Sequence, residues 1–269
     1  MNDIDVALAA AEAGASVVRR MYGRTLARFE KSPSDFATEA DLASEDAIRA
    51  VIRAERPDDA FVGEETGESP GSATGRRWLV DPLCGTLNYA AGTPLAAVNI
   101  ALETADGVTA AVCADPIAGE FFWTAGGSAS LRRGDIDTPM TPSGRSALVD
   151  VDCDGEVVGP QLVADREFRR LFGPRVVSTT LALAWVAAGR WAAYVSDGRM
   201  DGNVHFAAGI AVCQATGCVV TDLSGAPVRG GRGLIAAADA RTHAGLREIV
   251  GKYLRPPACD GDVSDDPPT

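Results

Sequence analysis

Residues Trp78 to Thr86 read WLVDPLCGT. An apolar run suited to a buried strand passes without a break into an acid, a proline, a cysteine and a Gly-Thr pair. A strand ending in such a polar loop lies where an α/β protein usually keeps its chemistry, just beyond the carboxyl ends of its strands. A second strand-like run, Phe61 to Gly63, ends in Glu64 and Glu65, and Asp41 stands near the start of a helix that Thr38 is placed to cap. Converging carboxylates raise one another's pKa values unless a cation sits between them, so the group suggests Mg²⁺. Most acids are solvated loop ends, however, and spacing alone favours that plainer reading.

Outward from this loop, the runs around "VNIAL", "GVTAAVCADP" and "GEFFWTAGG" predict antiparallel strands with turns at Asp106, Gly107, Ala118 and Gly119. Towards the N-terminus, the Ala-rich stretch Asn2 to Arg24 has apolar residues at helical spacing, acids early and arginines late, as a helix dipole favours. Beyond about residue 145 the texture changes. "ALVDVDCDG", "RVVSTT" and "WAAYVSDG" predict strands, while "LALAWVAAGR", "FAAGIAVCQATG" ending at Gly217, and "ARTHAGLREIVGKYL" predict helices. The division expected is an N-terminal α+β part over 1–145 carrying the GEE and DPLCGT motifs, a C-terminal α/β part over 146–255 carrying HFAAG, and a disordered acidic, Pro-rich tail over 256–269.

The chain has 269 residues, enough for a substantial core, with 46% hydrophobic and 23% charged residues. A formal charge of −12 argues against binding nucleic acid through its phosphates, which needs clustered Lys and Arg. No stretch reads as a membrane span or as a signal peptide. The six cysteines form no CxxC pair, a pattern that suits a reducing cytoplasm. Cys113, Cys213 and Cys218 are expected in the core, Trp185 and Trp191 in packing, and His243 on an exposed helix face.

Several separated segments, taken in order, resemble the inositol monophosphatase family: KSPSDFATEAD, FVGEE, WLVDPLCGTLNYAAGTPLAAVNIAL, ADPIAGEFFWTAGGSAS, VAAGRWAAYVSDG and HFAAGIAVCQATGCVVTDLSG. The resemblance runs from about residue 5 to 250. It implies an α/β, five-layer αβαβα sandwich that holds Mg²⁺ ions, binds a phosphate monoester and activates a water. By position it implies Glu64, Asp81 and the Leu83 carbonyl as metal ligands, and Thr86 supported by Asp41 as the pair that polarises the water. It also implies Gly85 and Thr86 as amide donors to phosphate, Ser178 and Thr179 as contacts to the rest of a small polar metabolite, and a homodimer.

Two positions depart from the family's pattern. Where its loop reads DPxDGT this chain has Cys84, and where a Trp-Asp pair precedes AAG this chain has Val204 and His205. Both replaced acids serve the same second ion in the family. Mg²⁺ takes hard oxygen ligands and binds thiol or imidazole poorly, so ordinary Mg²⁺-dependent phosphatase activity is expected to be lost. Asp201 could reach into the site if the chain is locally longer, although AAG fixes the register of His205. Three readings stay open. Cys84, His205, Asp81, Thr86 and Glu64 could form a repurposed catalytic site in which Cys84 and His205 act as a nucleophilic pair. The chain could instead be a non-catalytic pseudophosphatase that binds a ligand or partner. Or a phosphatase could persist with one Mg²⁺ at Glu64 and Asp81, or with Zn²⁺ on Cys84, His205 and Asp81.

Overall fold

The computed structural model describes residues 1–32, 35–69, 71, 74–154, 158–200, 202–228 and 232–254. The expected tail and Asp201 lie outside the described residues.

The chain begins with α1 (Asp3–Met21), a hairpin of β1 (Arg28–Ser32) and β2 (Asp35–Thr38), and α2 (Glu39–Glu55). There follow β3 (Ala60–Gly63), β4 (Gly67–Ser69), β5 (Arg77–Cys84), the short α3 (Thr86–Ala90), β6 (Ala97–Thr104), β7 (Gly107–Asp115), β8 (Glu120–Ala125), β9 (Ser128–Arg133) and β10 (Ile136–Pro139). The second part runs β11 (Leu148–Val151), α4 (Gly159–Ala164), α5 (Arg166–Leu171), β12 (Gly173–Arg175), α6 (Leu181–Ala187), β13 (Ala193–Arg199), α7 (Ala207–Thr216), β14 (Val219–Thr221), β15 (Arg232–Ala237) and α8 (Ala240–Leu254).

Two sheets organise these elements. One is eight-stranded in the order β10-β9-β8-β7-β6-β5-β3-β4, and the other five-stranded in the order β12-β11-β13-β15-β14. α1 and α2 cover the outer face of the first sheet, where the small Ala7, Ala10 and Ala11 let α1 lie close over Trp78, Ile100 and Val112. α6 and α7 fill the middle layer, sharing one core with Phe122, Tyr194 and Leu234 of the two sheets. α4, α5 and α8 close the far side through Leu162, Phe168 and Ile249. The result is the five-layer αβαβα sandwich. Burial of each large core side chain, such as Trp78, Phe61 or Phe122, contributes about 1.5–3 kcal/mol.

Local chemistry explains the boundaries that matter. Thr38 caps α2 and Asp41 returns the bond to the Thr38 amide, a reciprocal capping box. α7 ends on Gly217 in the left-handed region (φ 88°). Gly209, early in α7, lies so close to α6 that a Cβ there would stand 2.7 Å from Leu183 Cδ1. Two expectations need correction, and the paired strands β9 and β10 were not foreseen. The stretch Arg175–Thr180, with its β-branched residues, continues as strand only to Arg175, because Ser178 turns to φ 46° and Asp150 Oδ1 takes the Val177 amide away from any ladder. The strands β9 and β10, rich in charge and Gly-flanked, give no alternating apolar signal in the sequence. His243 is buried, 6% exposed, with its Nε2 2.8 Å from Thr221 Oγ1.

Candidate active site

The placement of the acids follows from sheet register. β3 runs parallel to β5 with Gly63 beside Val80, and the Glu64 amide donates to the Val80 carbonyl at 3.0 Å. Glu64 and Asp81 therefore leave neighbouring strands at the same end. The Ser44 hydroxyl of α2 holds the Pro82 carbonyl at 2.9 Å, and the Leu83 amide donates to Asp81 Oδ1 at 3.1 Å. These bonds shape the loop so that Leu83, Cys84, Gly85 and Thr86 line one pocket of about 470 Å³. Gly85 sits at φ 101°, where a Cβ would meet the Leu95 carbonyl at 2.7 Å, so the loop requires glycine there.

On one side of this pocket Thr86 Oγ1 lies within donating distance of Asp41 Oδ1 (2.9 Å) and of the Leu83 carbonyl (3.1 Å). Asp41 is fully buried, and burial raises its pKa against the hydrogen bonds from Thr38 and Thr86. Burial, then the Asp81 charge, push the Glu64 carboxyl up to about 8. The Lys31 ammonium of β1 bridges Glu64 (2.9 Å) and Glu65 (2.8 Å). Lys31 opens the KSPSDFATEAD segment but carried no expected role, because a positive charge near a turn says nothing of a partner 33 residues further on.

On the other side, His205 Nδ1 lies 2.7 Å from Asp81 Oδ2 and 3.9 Å from Glu64 Oε2. Cys84 Sγ accepts from the Thr180 amide (3.3 Å) and hydroxyl (3.1 Å). Burial alone would raise the Asp81 carboxyl and lower the His205 imidazole. Their mutual attraction reverses both, holding Asp81 below the ordinary carboxylate range and lifting His205 to about 12. Burial and then the Asp81 charge push the Cys84 thiol up. Donor atoms of Asp81, Cys84 and His205 all lie within 4.8 Å of one another. His205 lies two residues before α7, next to the N-cap Phe206, and its amide donates to Asn203 Oδ1 at 2.9 Å.

Of the remaining expected contacts, Ser178 is exposed and Thr179 buried, and both border the pocket with Asp152, Asp154 and Tyr194. The Thr179 hydroxyl donates to the Cys84 carbonyl at 3.1 Å. Val204 packs away from the pocket, beside Leu79 and Ala208.

A five-layer sandwich whose strand-end acids converge with residues from the middle helix layer on one small-molecule pocket defines a class of α/β phosphatase-fold proteins. The chain belongs to the inositol monophosphatase family, whose model matches residues 1–255. An inositol-1-monophosphatase of Mesorhizobium japonicum is 32% identical over 83% of this chain and 86% of its own length. A protein of Pseudomonas aeruginosa described as Nus factor SuhB is 30% identical over 94% of this chain and 97% of its own. Among solved structures, the extragenic suppressor protein SuhB of Bartonella henselae superposes with a TM-score of 0.83 at 28% identity, covering 92% of this chain and 98% of that one.

Proposed function

We propose that the chain is an enzyme acting on the phosphate monoester of a small polar alcohol, with a preserved water-activating half and a leaving-group half rebuilt around Cys84 and His205. The observation that carries this reading is the Asp41–Thr86–Leu83 hydrogen-bond set beside Glu64 and Asp81. It supports an active hydrolase more than a decayed one, as do relatives named for inositol monophosphatase activity. The −12 charge still argues against direct contact with a nucleic-acid backbone, and the Nus factor name is that of relatives. Among the described residues no helix is long and apolar enough to cross a membrane.

The oxygen set Glu64, Asp81 and the Leu83 carbonyl suits Mg²⁺, and the Lys31 ammonium already stands as a positive charge against Glu64. When bound there, Mg²⁺ supplies charge neutralisation and lowers the pKa of water. Thr86 Oγ1 can accept a hydrogen bond from a water in the pocket while donating to Asp41, whose carboxyl, raised by burial, would take up the proton that passes along this pair. Gly85 and Thr86 offer small, pocket-facing backbone to the phosphate, and Ser178 and Thr179 border the alcohol portion. The thiol and imidazole of Cys84 and His205 do not suit a second Mg²⁺.

A second reading is favoured by the 2.7 Å bond between Asp81 and His205, which orients an imidazole beside a pocket-facing thiol in the manner of a nucleophilic relay. One experiment separates the two. Phosphate release is measured from a panel of monoesters with Mg²⁺, using the native chain and the variants Asp41→Asn, Cys84→Ser and the paired Cys84→Asp with His205→Asp. Measurable release, a fall of about a hundredfold or more in Asp41→Asn, and a gain in the paired variant are expected. Loss of all turnover in Cys84→Ser favours the sulfur relay, and no release from any variant overturns both.

A further inference from the structure

We infer that Asp81, Cys84 and His205 form a binding site for one soft divalent ion of the zinc class. The site deepens the functional reading by naming what occupies the rebuilt half of the same pocket, and it rests on that reading only for its role in turnover. Among the described residues no other group of three or more His, Cys, Asp or Glu side chains brings its donor atoms within 4.8 Å of one another.

The chemistry of the set is selective. A carboxylate, a thiolate and an imidazole are donors that zinc accepts, and their summed charge of −2 balances a divalent ion. Mg²⁺ would find only one hard ligand. Tetrahedral zinc with ordinary bond lengths spaces N and O donors by about 3.3 Å and N and S donors by about 3.6 Å. The Asp81–His205 pair at 2.7 Å must open by roughly half an ångström, and the sulfur must close by about an ångström at most.

Two of the three donors are held from behind, and the third is fixed through its backbone. The Leu83 amide orients Asp81 through Oδ1, leaving Oδ2 directed at His205. The His205 backbone is tied to Asn203. Cys84 Sγ receives the Thr180 amide and hydroxyl, and Thr180 Oγ1 itself accepts from the buried Asn99 Nδ2 at 2.8 Å. Two donors aimed at one sulfur orient it and offset part of the burial and Asp81 charge that push its thiol up, and a bound metal would displace the remaining proton. Three protein ligands with a fourth position open to the pocket is the arrangement of catalytic rather than structural zinc.

The test is metal binding, independent of turnover. Protein stripped with chelator is titrated with Co²⁺, and then with Zn²⁺ in competition, while sulfur-to-cobalt charge-transfer absorption is followed. A band saturating at one ion per chain and displaced by Zn²⁺ is expected. Cys84→Ser and His205→Ala should abolish it, Cys213→Ser should leave it intact, and Thr180→Val should weaken Co²⁺ binding by about tenfold to a hundredfold. No charge-transfer band, or a band that survives Cys84→Ser, overturns the site. Melting curves for each variant ensure that only folded protein is compared, and Cys84→Ala serves if Cys84→Ser does not fold. An intact band without phosphate release from any monoester defeats the functional reading alone, whereas release without the band defeats the metal site alone.

Discussion

Asp150 shows how far one buried group can couple this molecule to pH. It is 1% exposed on β11, and burial raises its pKa to about 7, opposed by the Val177 amide and reinforced by Asp152. A carboxyl with a folded pKa above its unfolded value stabilises the fold most below its unfolded pKa, and that contribution is lost as pH rises towards 7. Asp150→Asn keeps an oxygen for the Val177 amide and removes the titration. Relative to the native chain it should therefore gain stability between pH 5 and pH 8, by about 3 kcal/mol. Urea unfolding at the two pH values checks this; a constant difference would contradict it. Single residues were legible in the sequence where a motif fixed their register, as DPLCGT did for Cys84 and AAG for His205. His243 was misjudged although its spacing of three and six residues from Leu246 and Ile249, both buried, marks the inward face of α8.

Among elements, the β1–β2 hairpin has the least obvious task. Every residue of β1 is exposed, so no apolar pattern announces the strand. Its hold on the site is Lys31, whose ammonium occupies carboxylate oxygen that Mg²⁺ would need. Lys31→Met should consequently bind Mg²⁺ more tightly, by roughly tenfold if the two partly exposed ion pairs contribute about 1.4 kcal/mol together. Calorimetric titration of both forms measures it, and equal affinities would show that ammonium and metal do not compete. The long strands β5 to β8 were legible because near-continuous apolar runs and turn residues agree with each other. The segment after β12 was not, since the Asp150 carboxylate that redirects Val177 is distant in sequence and its effect has no local signature.

For the whole molecule, the helix layer between the sheets decides how the two parts of the chain meet. The layered architecture could be anticipated from motifs spread along the chain, but the shared core of α6 and α7 could not be read from either part alone. Thr180, the residue before α6, holds Cys84, while His205 stands just before α7. Where Gly209 meets Leu183 these helices approach too closely for any side chain at 209. Gly209→Ala should cost about 1–3 kcal/mol by overpacking, seen as a lowered urea midpoint, and should also loosen binding in the pocket; unchanged binding would disconnect the two. The glycine thus works as a calliper stop, setting the gauge of a pocket it never touches, so the chain could retune its selectivity among ligands from a position far from any of them.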